Sequence, residues 1–171
     1  MANWTIRTYP DPFLRKKCKP IAEIDGWARE LADEMVETMY AAPGVGLAAP
    51  QLGEAVRLIA VDLSIGREKG HLHVLINPEI LESEGEQFEE EGCLSLPDVT
   101  ERVRRFGRVR VRALNREGKE VVLDAQEMLS RVLQHEIDHL DGKLLLDRLS
   151  RVKRDLIKRR LKKQAKAAPA R

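Results

Sequence analysis

The run His135-Glu136-Ile137-Asp138-His139 sets two imidazoles four residues apart, with a carboxylate beside the first. On a helix, residues four apart stack on one face with Cβ atoms about 5–6 Å apart, so both rings can chelate one metal ion. Glu136 then lies near the same face and can work on a water held by the metal without itself being a ligand. Metal-assisted hydrolysis is the chemistry that such a trio supports. The competing reading is a pair of core histidines bonded to backbone carbonyls.

A catalytic site of this type needs a third protein ligand and one open position. No glutamate follows Glu136, and Leu145 stands where a three-histidine pattern would put its last ligand. His71 and His73 would share one face of a strand, and a plain surface role is expected for both. Cys93, in Glu91-Gly92-Cys93-Leu94-Ser95, is the best remaining donor, with Gly92 allowing close backbone approach. Cys18 is expected to be an inert, partly buried thiol, and Trp4 and Trp27 to be core or rim aromatics.

The element carrying the histidines is expected to be a helix from Asp124 to Leu140. Asp124 and Glu127 would form a capping box, and Asp141-Gly142 the stop. Met128, Leu129, Val132, Leu133, Ile137 and Leu140 form an apolar arc that His135, Glu136 and His139 adjoin. Polar groups turned toward a core are costly unless satisfied, and a metal satisfies them. A first helix is expected over Asp25–Tyr40, with Trp27, Leu31, Met35 and Met39 on one face. Residues 44–51, GVGLAAPQ, read as a tight packed loop. Val56–Leu63, Leu72–Ile76, Arg108–Leu114 and Val121–Leu123 read as strands, the last two as a hairpin. The seven glutamates between Glu79 and Glu91 read as a solvated face or loop. A last helix is expected from Ser150, with Val152, Leu156 and Leu161 inward and a frayed end from Lys162 to Arg171.

At 171 residues, with 43% hydrophobic and 34% charged residues, the chain suits one domain, residues 1–149 being the catalytic body and 150–171 its basic helix and tail. From Arg148 onward, eleven Lys/Arg face the single acid Asp155, which leaves nineteen basic and twenty-seven acidic residues elsewhere. The tail is therefore suited to an anionic partner. Two cysteines, no apolar leader and no bilayer-length apolar run point to a cytoplasmic protein without a disulfide framework or a membrane.

Gly44-Val-Gly-Leu-Ala-Ala-Pro-Gln51, Glu91-Gly-Cys-Leu-Ser95 and Gln134-His-Glu-Ile-Asp-His-Leu140 resemble, in order and spacing, the three motifs of peptide deformylases. The resemblance covers about residues 1–150 and extends to the basic helix. It implies an α+β fold of mostly antiparallel strands around the helix bearing the two histidines. It implies that Cys93, His135 and His139 hold the metal, usually Fe²⁺ with Zn²⁺, Ni²⁺ or Co²⁺ able to substitute. It further implies removal of the N-formyl group from the formylmethionine of nascent polypeptides, a water on the metal being the nucleophile. Glu136 would be general base and then acid, and the Gln51 side chain and the Leu94 N–H would be the oxyanion donors. Backbone groups of Val45 and Gly92, with Gly46, would hold the bound peptide, and Val45, Met128, Val132 and His135 would wall the methionine pocket. Pro50, where the best-known members often have threonine, and Arg131 and Glu89, near positions that are apolar in familiar members, depart from that pattern. The basic helix resembles those that dock deformylases on ribosomal RNA. A zinc endopeptidase and an RNA-binding module with a structural metal are the two rival readings. The first lacks a downstream ligand, and the second a fourth ligand.

Overall fold

The computed structural model describes residues 4–167. Helix α1 (Gly26–Ala41) starts where the Asp25 carboxylate accepts from the Ala28 N–H at 2.9 Å, closing a donor that the first turn leaves open. It buries Ala28, Leu31, Ala32, Met35 and Met39. Trp27 does not share that face and is 48% exposed. Positions four apart drift by about 40° per step around a helix, so Trp27 and Met39 end about 120° apart.

Seven strands follow, all named pairs being antiparallel, and the architecture is α+β. Strands β1 (Gly46–Ala48), β2 (Leu58–Val61), β3 (His73–Glu84), β6 (Arg108–Leu114) and β7 (Glu120–Gln126) form one sheet in the order β1-β2-β3-β6-β7. Strands β4 (Gln87–Cys93) and β5 (Leu96–Arg105) form a second. The β6–β7 hairpin is tied at Asn115, whose side-chain oxygen accepts from the Glu117 and Lys119 N–H groups at 3.0 and 2.9 Å. The segment read as a packed loop instead contributes β1 and a 3-10 turn over Ala49–Leu52. Β-structure also replaces the solvated loop expected over Glu79–Glu91. Six of its glutamates are exposed as foreseen, but they sit on or between β3 and β4, where Arg108 and Arg112 pair with Glu84 and Glu79 at 2.8 Å. Glu91 is the exception and is buried.

Helix α2 (Glu127–Leu140) begins three residues later than its sequence suggests. Asp124 lies on β7, and its carboxylate accepts from Arg108 at 2.6 Å, so no Asp124 capping box forms. Strand runs directly into helix through Glu127, at φ +52°. One apolar cluster joins Val132, Leu133, Ile137 and Leu140 of α2 to Ile59, Leu75, Val109 and Val111 of the large sheet. A second packs α1 on Leu47, Leu58 and Ile76. The third packs α3 (Arg151–Ala167) through Ile157 and Leu161 on Leu96, Val99 and Val103 of β5. Val152 and Leu156, expected inward, are 71% and 59% exposed, because the buried stripe of α3 runs through Ile157 and Leu161. Lys162–Ala167 is helical and not frayed, while residues 168–171 lie outside the described residues. Among the described residues, no helix is long and apolar enough to cross a membrane.

Candidate metal centre

Two elements bring the chemistry together. On α2, His135 and His139 lie one turn apart with ring centroids 5.1 Å from each other. Cys93 ends β4 just before the tight turn into β5, where it pairs with Leu96. Its sulfur lies 3.4 Å from Nε2 of His139, and the ligand atoms of Cys93, His135 and His139 all fall within 4.8 Å of one another. No other group of three or more His, Cys, Asp or Glu side chains suited to a metal ion occurs among the described residues. His71 is exposed and pairs with Glu68, in keeping with a surface role, and His73 begins β3 half-buried. Cys18 is buried, and burial pushes its thiol up to about 11, which keeps it protonated and inert.

The residues present fit a divalent cation. Nδ1 of His135 is engaged with Glu91 at 3.1 Å, leaving Nε2 of that ring for a metal, and Glu91 is the kind of outer partner that orients ligating histidines. Oε2 of Glu136 and Nδ1 of His139 are buried without a hydrogen-bond partner. Burial holds His139 well below the ordinary histidine range, so its imidazole is neutral and able to ligate. Burial also pushes the Glu136 carboxyl up to about 7, against the pull of His135 and Arg105. Against burial, Cys93, Glu91 and Glu136 draw His135 well above the ordinary histidine range, and a cation held there would take the place of that positive charge.

Glu91 is the residue whose buried role the sequence reading missed. Its two oxygens accept from Arg105 at 2.7 and 2.9 Å, and Arg105 also reaches Asp138 at 2.6 Å. Burial would raise the Glu91 carboxyl, but His135 and Arg105 together hold it at about 2. Asp138 in turn accepts from Arg148 at 2.7 Å. The clue was position: Glu91 and Asp138 sit two and three residues from Cys93 and His135, and Arg105 alone among the β5 arginines turns fully inward. Arg105→Ala would leave Glu91 and Asp138 buried without their main counter-charge. An expected loss of about 3–5 kcal/mol in chemical denaturation follows, whereas a loss below about 1 kcal/mol would show the network to be dispensable.

Gln51 is buried, and its position is fixed at both ends. Its side-chain oxygen accepts from the Ala48 N–H at 2.9 Å, and its amide donates to the Ser95 hydroxyl at 3.0 Å. Ser95 donates onward to the Arg7 carbonyl at 2.6 Å. With the oxygen committed, the Gln51 amide nitrogen faces Cys93, 3.9 Å from its sulfur. Pro50 is the second residue of the 3-10 turn, and the bracing of Gln51 comes from Ala48 and Ser95, so the proline leaves it intact. Gly46 packs so closely on Glu136 that an added Cβ would lie 2.6 Å from its Oε1. A pocket of about 430 Å³ opens over these groups. Val45, Gly46, Gly92, Leu94, Met128 and Val132, each singled out in the sequence, all line it. So do Arg131 and the less expected Ile65, Asp98 and Thr100.

The family model described as Polypeptide deformylase matches residues 4–155. The peptide deformylase of Thermodesulfovibrio yellowstonii is 54% identical over 162 residues, covering 95% of this chain and 98% of that protein. That of Acidobacterium capsulatum is 52% identical over 95% of each chain. Among solved structures, the crystal structure of a peptide deformylase from Legionella pneumophila superposes with a TM-score of 0.90 at 43% identity, covering 98% of this chain and 99% of that one. With the paired histidines of α2, the β4 cysteine and nearly end-to-end similarity agreeing, the chain is an enzyme of the polypeptide deformylase family.

Proposed function

We propose that this enzyme hydrolyses the formamide of N-terminal formylmethionine in newly made polypeptides, releasing formate. The observation that carries the reading is the meeting of Cys93, His135 and His139 beneath a pocket into which Glu136 brings an unpartnered carboxylate oxygen. Those three residues would hold a divalent cation. When bound, it supplies a Lewis-acid charge that acidifies water and polarises a carbonyl oxygen. Three protein donors leave a coordination position open, as catalytic use requires. Fe²⁺ is the proposed native ion. Zn²⁺, Ni²⁺ and Co²⁺ are compatible with the same mixed sulfur and nitrogen donors.

Glu136, deep in the pocket and free of other partners, takes a proton from the attacking water and delivers it to the departing amine. The amide hydrogen of Gln51 not spent on Ser95 and the N–H of Leu94 face the oxygen on which negative charge develops. Backbone groups of Val45, Gly46 and Gly92 align the peptide as an added strand. Met128 and Val132 offer apolar surface to the methionine side chain. The direct test is release of formate from formyl-Met-Ala-Ser without internal cleavage. Internal cleavage without formate would favour an endopeptidase. In that assay Gln51→Ala is expected to lose about 10²–10³ in kcat, and turnover near wild type would remove Gln51 from the mechanism.

The compartment proposed is the cytoplasm, where nascent chains are made. The partner proposed for α3 is ribosomal RNA. Its support is the density of cations on that helix, whose outward side is otherwise solvent-facing. Removal of residues 151–171 is expected to weaken ribosome co-sedimentation most at low salt, and unchanged sedimentation would refute this docking.

A further inference from the structure

Ile65 lies on the loop between β2 and β3, half-buried, and lines the pocket. Its φ is +55°, a region that β-branched residues avoid because Cβ crowds the backbone. It belongs to none of the three apolar clusters among the described residues, so packing of the core does not account for that conformation. The loop is held instead by Asp62, which is buried just beyond β2. One Asp62 oxygen accepts from the Ser64 N–H at 2.8 Å and the Ser64 hydroxyl at 2.7 Å. The other accepts from the Gly66 N–H at 3.0 Å and the Tyr40 hydroxyl at 2.6 Å. Both chain neighbours of Ile65 are thereby pinned. Burial would raise the Asp62 carboxyl, but the bonds from Tyr40, Ser64 and Gly66 outweigh it and hold the group at about 2, so the latch stays ionised near neutrality.

The location of this latch gives it a purpose. The Asp62 N–H donates to the Val45 carbonyl at 2.9 Å, which fastens the loop to the start of β1. Gly46, the next residue of β1, packs on Glu136 and so marks the reacting end. Gly44, Val45 and Ile65 line the same pocket, on the side to which a peptide laid along β1 and leading away from Glu136 would run. The methionine side chain is assigned to a wall that includes Met128 and Val132 on α2, a different element from the Ile65 loop.

We propose that Ile65 is a specificity-determining residue. The Asp62 latch presents its apolar side chain to the polypeptide beyond the formylmethionine and favours an apolar residue at one of the two following positions. The inference rests on the deformylase reading and adds a substrate preference to it. The test uses the metal-loaded full chain, with Ile65→Gly compared against wild type on formyl-Met-Leu-Leu and formyl-Met-Ser-Ser. Glycine adopts this φ without strain, so the variant should keep or raise its thermal midpoint. The ratio of kcat/KM for the leucine peptide over the serine peptide is expected to fall about 5- to 10-fold, as loss of one apolar contact allows. An unchanged ratio in a well-folded, active variant overturns the role of Ile65 alone. Absence of formate from both peptides with wild type would overturn the deformylase reading, and this inference with it.

Discussion

Glu136→Gln is expected to keep its metal and lose formate release by about 10²–10⁴-fold, the usual worth of a positioned acid–base group. Glu136 is buried on α2 between the two histidines, yet it is not a member of the cluster of potential ligands. Its Oε2 has no partner, and Oε1 lies against the one β1 position where a side chain would not fit. Glutamine keeps that packing and removes only the capacity to take a proton. Metal content by mass spectrometry and formate release in a single turnover check the two halves independently. Turnover within about tenfold of wild type would deny Glu136 its role as general base and acid. Loss of the metal would make it a ligand.

Cys93→Ala is expected to abolish stable metal binding, and activity with it. The sulfur comes from β4 and not from the histidine helix, so its removal leaves two imidazoles on one helix face and no third member of the cluster among the described residues. The loss should exceed the roughly 10- to 100-fold that partners behind the ligands are worth. A bound ion stabilises the folded state by mass action. A chelator should therefore lower the thermal midpoint of wild type and leave that of Cys93→Ala unmoved. Equal responses of the two proteins would show that Cys93 is not a ligand.

Local chemistry made much of this site legible beforehand. Paired histidines at helical spacing, a glutamate between them and a thiol next to glycine announced the helix and the three side chains that meet as a possible metal site. Strand β6, with arginine alternating against buried valine and alanine, coincides with its expected bounds. The harder features depend on partners distant in the chain. Glu91 resembled its six solvated neighbours until Arg105, fourteen residues on, turned inward to meet it. Strand β5, rich in arginine and carrying a proline, does not read as a strand, and only pairing with β4 and the cover of α3 explain it. The start of α2 was misplaced because Asp124 is a good cap in isolation, yet Arg108 claims it across the hairpin. In helix α3 Leu161 is buried as expected but Val152 and Leu156 are not, since a helix with cations nearly all round has little apolar pattern to orient it. Ile65 gave no signal, because its backbone conformation is imposed by Asp62 and Tyr40.

X-ray absorption at the metal edge of anaerobically purified enzyme tests the central claim most directly. The arrangement of Cys93, His135 and His139 predicts one ion per chain with one sulfur and two imidazole nitrogens, the remaining donor being a light atom from solvent. A shell without sulfur, or one completed by a fourth protein side chain, would contradict it.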